Sequence, residues 1–124
     1  MSKKIIVAED SSVIQNLTKR ILSQLNYEIV VVKNGQQVLE LLEKENYHLI
    51  LMDIHMPVMN GMECARNIRK STNKNKEIPI IAITGNANNY TEDEFKAAGI
   101  NGFVPKPLNY DSLVEKVKKF TDDN

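Results

Sequence analysis

An acidic residue directly follows the most apolar segment of this sequence. The run 49–52 has no polar member, and Asp53 ends it. A carboxylate at such a position is either solvated where a strand meets water or is a nucleophile presented to a pocket. Two further acids, Glu9 and Asp10, follow the apolar run 5–8 in the same way. These three carboxylates are therefore the first candidates for chemistry.

Two other polar side chains occupy similar positions. Thr84 follows the apolar run 80–83, and Lys106 lies between two prolines just after the short run 102–104. Proline on both sides stiffens the backbone, which is a costly way to display a merely solvated lysine. Thr84 alone would be explained almost as well as a β-branched residue that finishes a strand.

Crowded carboxylates predict a cation. If the three acids lie about 5 Å apart, each like-charge pair costs about 3 kcal/mol at an effective dielectric constant of about 20. Hard oxygen ligands favour Mg²⁺, and neither His48 nor His55 has the spacing of a zinc site, so we expect the first to be structural and the second exposed. Asp53, Mg²⁺ and Lys106 would form a phosphoryl-transfer centre in which Asp53 attacks phosphorus to give an aspartyl phosphate.

Five short apolar runs alternate with five segments of helical periodicity. Several of the runs lack polar alternation, which predicts strands that are covered on both faces, as in a parallel sheet. The alternation predicts an α/β fold with a doubly wound five-stranded parallel sheet and five helices. Ligands bind such sheets beyond the carboxyl ends of the strands, where the candidate residues should converge. The runs lie at 5–8, 29–32, 49–52, 80–83 and 102–104.

Local signals predict several helix boundaries. Asparagine–glycine pairs at 34–35 and 60–61 are typical of helix starts, and Gly99 follows a segment in which a helix should stop. Thr91 and Glu94 have the spacing of a capping box, so a helix is expected to begin between them.

Composition limits the class of protein. A chain of 124 residues that is 42% hydrophobic supports one core, so we expect one domain over 1–124. Sixteen basic and sixteen acidic residues balance, so nothing predicts binding to nucleic acid or to a membrane surface. One cysteine, Cys64, and the lack of a long apolar run predict a cytoplasmic protein. The tract 71–77 is predicted to be only a polar loop.

Taken together, these motifs resemble the receiver domain of two-component response regulators. The resemblance covers residues 3 to about 121 and depends on "ED", "MDIHMPVMNG", "IAITG" and "FVPKP", which follow or form strands one, three, four and five in the expected order. It implies a flavodoxin-like sheet of order 2-1-3-4-5. It also implies a signalling phosphoacceptor rather than an enzyme, although one that assists its own Mg²⁺-dependent phosphorylation and dephosphorylation.

The resemblance assigns roles within the site. Asp53 would take a phosphoryl group from the phosphohistidine of a histidine kinase or a histidine phosphotransfer domain. Mg²⁺ would be held by Asp10, Asp53 and the main-chain carbonyl of His55, with Glu9 acting mainly through water. Glu9 stands where Asp is commoner, and His55 and Asn86 occupy positions at which the family tunes the lifetime of the phosphoryl group.

The resemblance also implies a switch. The Thr84 hydroxyl would move toward the phosphoryl group, and the Phe103 ring would turn inward to fill the vacated space. The loop 85–90 is the backbone that should rearrange, and a cis peptide is expected before Pro107. We expect a downstream protein to bind the face formed by the fourth helix, fifth strand and fifth helix, although its lysines could instead simply complement a helix end. The residues expected on this face are Lys96, Phe103, Tyr110, Lys116, Lys118 and Lys119.

The same residues distinguish the chain from other classes of protein. A haloacid-dehalogenase-type phosphatase places its nucleophile in a D-x-D element after the first strand, whereas this strand ends Glu9-Asp10-Ser11. A flavodoxin-like carrier needs hydroxyls and amides in its first loop, and a pseudo-receiver would lack some of the five functional positions. The motifs are more typical of hybrid-kinase receivers and phosphorelay carriers, so the chain is either a stand-alone regulator that signals by docking or part of a hybrid histidine kinase.

Overall fold

Strands and helices alternate through the part of the chain that the structure describes. The structure is a computed structural model, and it describes residues 3–85 and 90–121. No helix within these ranges combines the length and the apolar character needed to cross a lipid bilayer. The strands are β1 (Lys4–Ala8), β2 (Glu28–Val32), β3 (Leu49–Asp53), β4 (Ile80–Thr84) and β5 (Gly102–Pro105). The helices are α1 (Ser12–Ser23), α2 (Gly35–Lys44), α3 (Gly61–Lys70), α4 (Glu92–Ala97) and α5 (Tyr110–Thr121).

The sheet has the predicted strand order. Its five strands are all parallel and lie in the order β2-β1-β3-β4-β5. The register pairs Asp53 with Ile83 and Thr84 with Pro105, so the ends of β3, β4 and β5 lie at one edge. Each strand therefore delivers the residue that follows it to the same edge of the molecule.

Both faces of the sheet are covered, which explains the missing polar alternation. Ile6 and Ile50 belong to one hydrophobic cluster, while Val7 and Leu51 belong to another, because successive side chains of a strand point to opposite faces. All five residues of β3 are buried. Full burial of each such aliphatic side chain contributes about 1.5–3 kcal/mol before the entropic cost of ordering the chain. The central strand is consequently a rigid support for Asp53.

The predicted helix boundaries are confirmed. Asn34 and Asn60 each accept a hydrogen bond from the backbone N–H three residues further on, at 2.9 Å. Thr91 and Glu94 form the reciprocal capping box at the start of α4. Gly99 follows that helix with φ of +90°, a conformation that favours glycine.

The loop before β4 has a structural role that its sequence does not reveal. Asn75 is buried, and its Nδ2 donates to the carbonyl oxygens of Leu42 at 2.9 Å and Glu45 at 3.0 Å. Its Oδ1 accepts from the Tyr47 N–H at 3.3 Å. One amide thus satisfies carbonyls at the end of α2 and holds the segment that leads into β3. The tract 71–77 is a loop, as predicted, but it also contributes these buried hydrogen bonds of Asn75.

Candidate functional site

Asp53 lies at the centre of the edge formed by the strand ends. It is the last residue of β3 and only 3% exposed, because β1 and β4 flank it. Its Oδ1 accepts from the His55 N–H at 3.1 Å, and its Oδ2 accepts from Lys106 Nζ at 3.0 Å. Both carboxylate oxygens therefore have a defined direction.

The loop after β3 is closed directly against Asp53. Its ends are joined by a hydrogen bond of 2.9 Å from the Gly61 N–H to the Ile54 carbonyl. A Cβ atom at position 61 would lie 2.6 Å from the Asp53 carbonyl oxygen, so only glycine allows this approach. The Asn60-Gly61 pair that marks the helix start thus also positions the backbone of Asp53.

Glu9 is almost completely buried beside Asp53. It is 1% exposed, and its Oε2 accepts from the Ser11 N–H at 3.1 Å. Its Oε1 lies 3.5 Å from Lys106 Nζ but accepts no hydrogen bond from any residue that the structure describes. A buried carboxylate oxygen without a hydrogen bond is costly unless something else compensates it.

Gln15 holds the backbone of this loop and was missed by the sequence analysis. Its buried side-chain amide donates to the Glu9 carbonyl and, at 3.0 Å, to the Val32 carbonyl. The Glu9 N–H also donates to the Val32 carbonyl at 3.0 Å, so the hydrogen bonding between β1 and β2 extends to the first residue of this loop. Gln15 lies beside the apolar positions of α1, and a polar residue in an amphipathic helix gives no sequence signal that its side chain is buried.

The predicted carboxylates do come together. One oxygen each of Glu9, Asp10 and Asp53 lie within 4.8 Å of one another. Asp10 is exposed whereas the other two are buried, so the cluster opens to solvent on the Asp10 side. Three hard oxygen donors and the unsatisfied Oε1 of Glu9 fit a divalent cation, so this cluster could bind a metal ion.

Burial and neighbouring charges change the acidity of the site. Burial raises the pKa of Glu9 from 4.5 to about 7, and the charge of Asp53 acts in the same direction. Hydrogen bonding from the Ser11 N–H and the charge of Lys106 oppose this rise in pKa. A raised pKa means that the ionised form of Glu9 is poorly compensated in the protein without a cation.

Lys106 is tied to the site through both its backbone and its side chain. Its N–H donates to the Thr84 carbonyl at 2.7 Å, and the peptide bond to Pro107 is cis, as the resemblance implied. Burial disfavours the charge on Lys106, but its hydrogen bond to Asp53 and the charges of Asp53 and Glu9 outweigh this effect, so its pKa is raised. The ammonium group is a fixed positive charge at neutral pH.

The proposed switch residues lie close to the site without entering it. The buried Thr84 hydroxyl donates to the Val104 carbonyl at 3.4 Å, so it is directed at β5. Phe103 is 39% exposed, and its ring stacks on Phe95 with centroids 5.6 Å apart. Thr84 is thus tied to β5 and Phe103 to helix α4, and neither contacts a carboxylate by a hydrogen bond in the described ranges.

The histidines have the environments predicted for them. His48 Nδ1 accepts from the Lys4 N–H at 2.9 Å where β3 begins, which is a structural role. His55 is exposed, and its N–H supports Asp53. Asn86 and most of the loop 85–90 lie outside the described residues.

The residues expected on the output face are only partly brought together. Lys96, Phe103 and Lys116 line a groove of about 320 Å³ between α4, β5 and α5. The Tyr110 hydroxyl instead lies 3.4 Å from the Thr18 hydroxyl of α1. Lys118 and Lys119 lie in the last turn of α5, where a positive charge also complements the helix dipole.

Comparison with known proteins gives a family match. The family model of the response regulator receiver domain matches residues 5–118. The CAI-1 autoinducer sensor kinase/phosphatase CqsS of Vibrio cholerae is 39% identical over 93% of this chain, which spans 17% of that kinase. The polar-differentiation response regulator DivK of Brucella anthropi is 28% identical, and the match covers 99% of both chains.

Solved structures have the same architecture. The receiver domain of the sensor histidine kinase PA1611 from Pseudomonas aeruginosa, which was solved with a magnesium ion in its active-site cleft, is 30% identical to this chain. Its TM-score is 0.87, and the match covers 98% of this chain and 99% of that one. The chain is thus similar both to a whole regulator and to a small part of much longer kinases.

Proposed function

The chain belongs to the response regulator receiver domain family, and on that premise we propose that Asp53 accepts a phosphoryl group from a phosphohistidine. Receiver domains are signalling phosphoacceptors in two-component and phosphorelay systems. The single observation that carries the proposal is the arrangement around Asp53, which combines a Lys106 contact at 3.0 Å with two further carboxylates within 4.8 Å. This arrangement suits phosphoryl transfer, because the carboxylate lies between the Lys106 ammonium group and two further carboxylates that can bind a cation.

In the proposed reaction, Asp53 is the nucleophile. An Asp53 oxygen forms a bond to phosphorus while the P–N bond of the phosphohistidine breaks, and the departing imidazole takes up a proton. The His55 N–H and Lys106 Nζ each hold one Asp53 oxygen, so the carboxylate is oriented before the donor arrives. Hydrolysis of the aspartyl phosphate returns the carboxylate and would use the same groups.

We propose Mg²⁺ as the cofactor, because it fits the donor set. Asp10, Asp53 and the main-chain carbonyl of His55 would hold it, with Glu9 acting mainly through water. When bound, Mg²⁺ neutralises charge on the transferred oxygens and relieves the repulsion among the carboxylates. The unsatisfied Oε1 of Glu9 and the raised pKa of that residue support a cation here. The magnesium ion in the PA1611 receiver is consistent with this choice.

Lys106 and Thr84 would stabilise the product. Lys106 would exchange its contact with Asp53 for one with a phosphoryl oxygen, since it already reaches both buried acids. Thr84 would have to break its bond of 3.4 Å to the Val104 carbonyl before its hydroxyl could donate to the phosphoryl group. Because a hydrogen bond of this length is weak, it opposes such a movement only slightly.

The donor is proposed to be a histidine kinase or a histidine phosphotransfer domain. Its phosphohistidine must reach Asp53, so the donor surface must cover the rim of the site. Helix α1, which begins two residues after Asp10, exposes Val13 and Leu17. These apolar side chains are suited to contact a protein rather than a small phosphate ester.

The output is proposed to use the groove between α4, β5 and α5. Phosphorylation adds up to about two negative charges at the carboxyl edge of the sheet. Movement of Thr84 would leave space that the half-exposed Phe103 ring could occupy, which would change its stacking on Phe95. A partner that binds one arrangement of this groove better would read the phosphorylation state.

Intact-mass spectrometry tests the proposed function. The protein is incubated with acetyl phosphate and Mg²⁺, and we expect one added phosphoryl group. Asp53→Asn should gain none, whereas Asp111→Asn, which alters an exposed acid in α5, should behave as wild type. Equal labelling of wild type and Asp53→Asn, or labelling that persists in EDTA, would reject the proposal.

A further inference from the structure

Val58 holds a backbone conformation that its side chain disfavours. Its φ is +67°, and the Met59 N–H donates to the Pro57 carbonyl at 2.7 Å, so Val58 is the central residue of a γ-turn. A β-branched residue is a true outlier in this region, which glycine, asparagine and aspartate tolerate far better. The other non-glycine residue with positive φ in the described ranges, Asn26, is of a tolerant type.

The surrounding contacts impose this turn whatever residue occupies position 58. Met56 is buried, and the Met59 carbonyl accepts from the Gly35 N–H at 3.1 Å, so both sides of the turn are anchored. The Gly61 N–H closes the loop onto the Ile54 carbonyl at 2.9 Å. The fold therefore requires the turn but does not require valine within it.

The Val58 side chain is not buried, so hydrophobic burial does not offset the strain of its positive φ. Val58 is 80% exposed and Val13 is 76% exposed, more than the other large apolar side chains that the structure describes. A strained and solvent-exposed valine lowers the stability of the folded protein relative to asparagine at the same position. Such a residue is a candidate for a role that appears only when another molecule covers it.

The location of Val58 identifies that molecule. The loop that carries it begins at Asp53 and is closed against the Asp53 backbone, and Val13 follows Asp10 by three residues. Val58 thus lies in one of the two loops that build the acidic cluster, and Val13 lies in the first turn of helix α1, directly after the other loop. A small phosphate donor needs only the charged groups within the cluster, whereas a protein donor must also lay its surface over these loops.

We propose that Val58 is a specificity-determining residue for phosphoryl transfer from a protein. Its side chain packs against the phosphohistidine-bearing protein while the phosphoryl group reaches Asp53. This inference rests on the proposed function. It predicts that Val58 contributes to the affinity for a protein donor and not to the chemistry at Asp53, so its removal raises KM and leaves kcat unchanged.

Two phosphoryl donors separate these effects. Phosphoramidate serves as the small donor, and the autophosphorylated kinase portion of CqsS, whose full sequence includes a segment similar to this chain, serves as the protein donor. Val58→Asn removes the apolar side chain and relieves the strained turn, whereas Val58→Ile keeps an apolar β-branched residue. Val58→Gly provides a second variant without the side chain.

The expected results differ between donors. With phosphoramidate, all three variants should match wild type within about twofold. With the kinase, Val58→Asn and Val58→Gly should raise KM about tenfold at constant kcat, as expected for loss of one buried valine, and Val58→Ile should restore it. Val58→Asn should also unfold at a higher temperature than wild type, because its backbone is no longer strained.

Two outcomes overturn the inference. The first is an unchanged KM for the kinase in Val58→Asn, and the second is an equal loss of rate with phosphoramidate. If wild type itself accepts no phosphoryl group from phosphoramidate, the proposed function of Asp53 fails instead. The two failures are therefore distinguishable.

Discussion

Lys106 Nζ lies 3.0 Å from Asp53 Oδ2, so the residue that follows β5 is paired with the last residue of β3. The same ammonium group lies 3.5 Å from Glu9 Oε1. One positive charge therefore serves two buried carboxylates, which leaves the site with excess negative charge unless a cation enters. Loss of the lysine, addition of Mg²⁺ and a change of pH should each alter this imbalance of charge.

Replacement of Lys106 should weaken both the fold and the reaction. Lys106→Met leaves Asp53 and Glu9 without their ammonium partner, and we expect the free energy of unfolding to fall by about 1–3 kcal/mol. Phosphorylation by phosphoramidate should slow at least about tenfold, because the transferred oxygens lose a charge that neutralises them. Urea unfolding and intact-mass time courses measure the two effects. Lys74→Met, an exposed lysine in the loop before β4, is the control and should change neither.

Mg²⁺ should stabilise the protein through the acidic cluster. We expect the unfolding temperature to rise with Mg²⁺ concentration for wild type, since the ion binds only the assembled cluster. Asp10→Asn should lose most of this rise, whereas Asp111→Asn should retain it. Differential scanning fluorimetry in EDTA and in millimolar Mg²⁺ makes the comparison. An equal rise in wild type and Asp10→Asn would place the ion elsewhere.

Glu9 should make stability depend on pH when metal is absent. Its pKa is raised from 4.5 to about 7 in the folded protein, so the unfolded chain releases this proton first as pH rises. The contribution of Glu9 to stability is therefore greatest below pH 4.5 and is lost between pH 4.5 and about 7. Urea unfolding in EDTA across this range measures it.

Glu9→Gln isolates the pH effect from those of other carboxyl groups. This variant keeps the shape of the side chain but cannot ionise, so the fall in stability between pH 4.5 and 7 should become smaller. Addition of Mg²⁺ should also reduce the fall in wild type, because the ion compensates the ionised form. A pH profile that is identical in wild type and Glu9→Gln would contradict this account of Glu9.

Asn75 should be important for stability although it is not part of the acidic cluster. Asn75→Ala removes hydrogen bonds to the Leu42 and Glu45 carbonyls and from the Tyr47 N–H. The Leu42 carbonyl keeps its hydrogen bond from Asn73 at 2.9 Å, but the Glu45 carbonyl and the Tyr47 N–H lose the partner that Asn75 supplies, which should lower the free energy of unfolding by about 1–3 kcal/mol. Asn16→Ala, on the exposed face of α1, should stay within about 0.5 kcal/mol of wild type. Urea denaturation compares them, and equal stabilities would show that Asn75 is dispensable.

The architecture was predictable from the sequence because strong, repeated signals specify it. The buried runs of β1, β3 and β4 lack polar residues, and the acids and the lysine follow strands whose ends must meet in a parallel sheet. The starts of α2, α3 and α4 were predictable because short polar side chains cap backbone N–H groups over a fixed spacing.

Features that depend on a single side-chain direction were not predictable in the same way. Asn75 and Gln15 lie in polar or amphipathic contexts, where burial depends on tertiary packing and leaves no periodic signal. The Thr84 hydroxyl donates to the Val104 carbonyl of β5. This partner depends on the side-chain rotamer, which the position of Thr84 in a strand does not determine. The strained turn at Val58 arises because both ends of its loop are anchored by residues distant in sequence.

Chemical mapping of the phosphoryl group tests the central claim most directly. Borohydride reduces an acyl phosphate to an alcohol, so the protein is phosphorylated by acetyl phosphate with Mg²⁺, treated with borohydride, digested and sequenced by mass spectrometry. We predict conversion of Asp53 alone to homoserine, dependent on Mg²⁺ and absent without the donor. Conversion of Asp10 or another acid instead, or of no residue at all under conditions that phosphorylate a known receiver domain, would contradict the assignment of Asp53 as the phosphoacceptor.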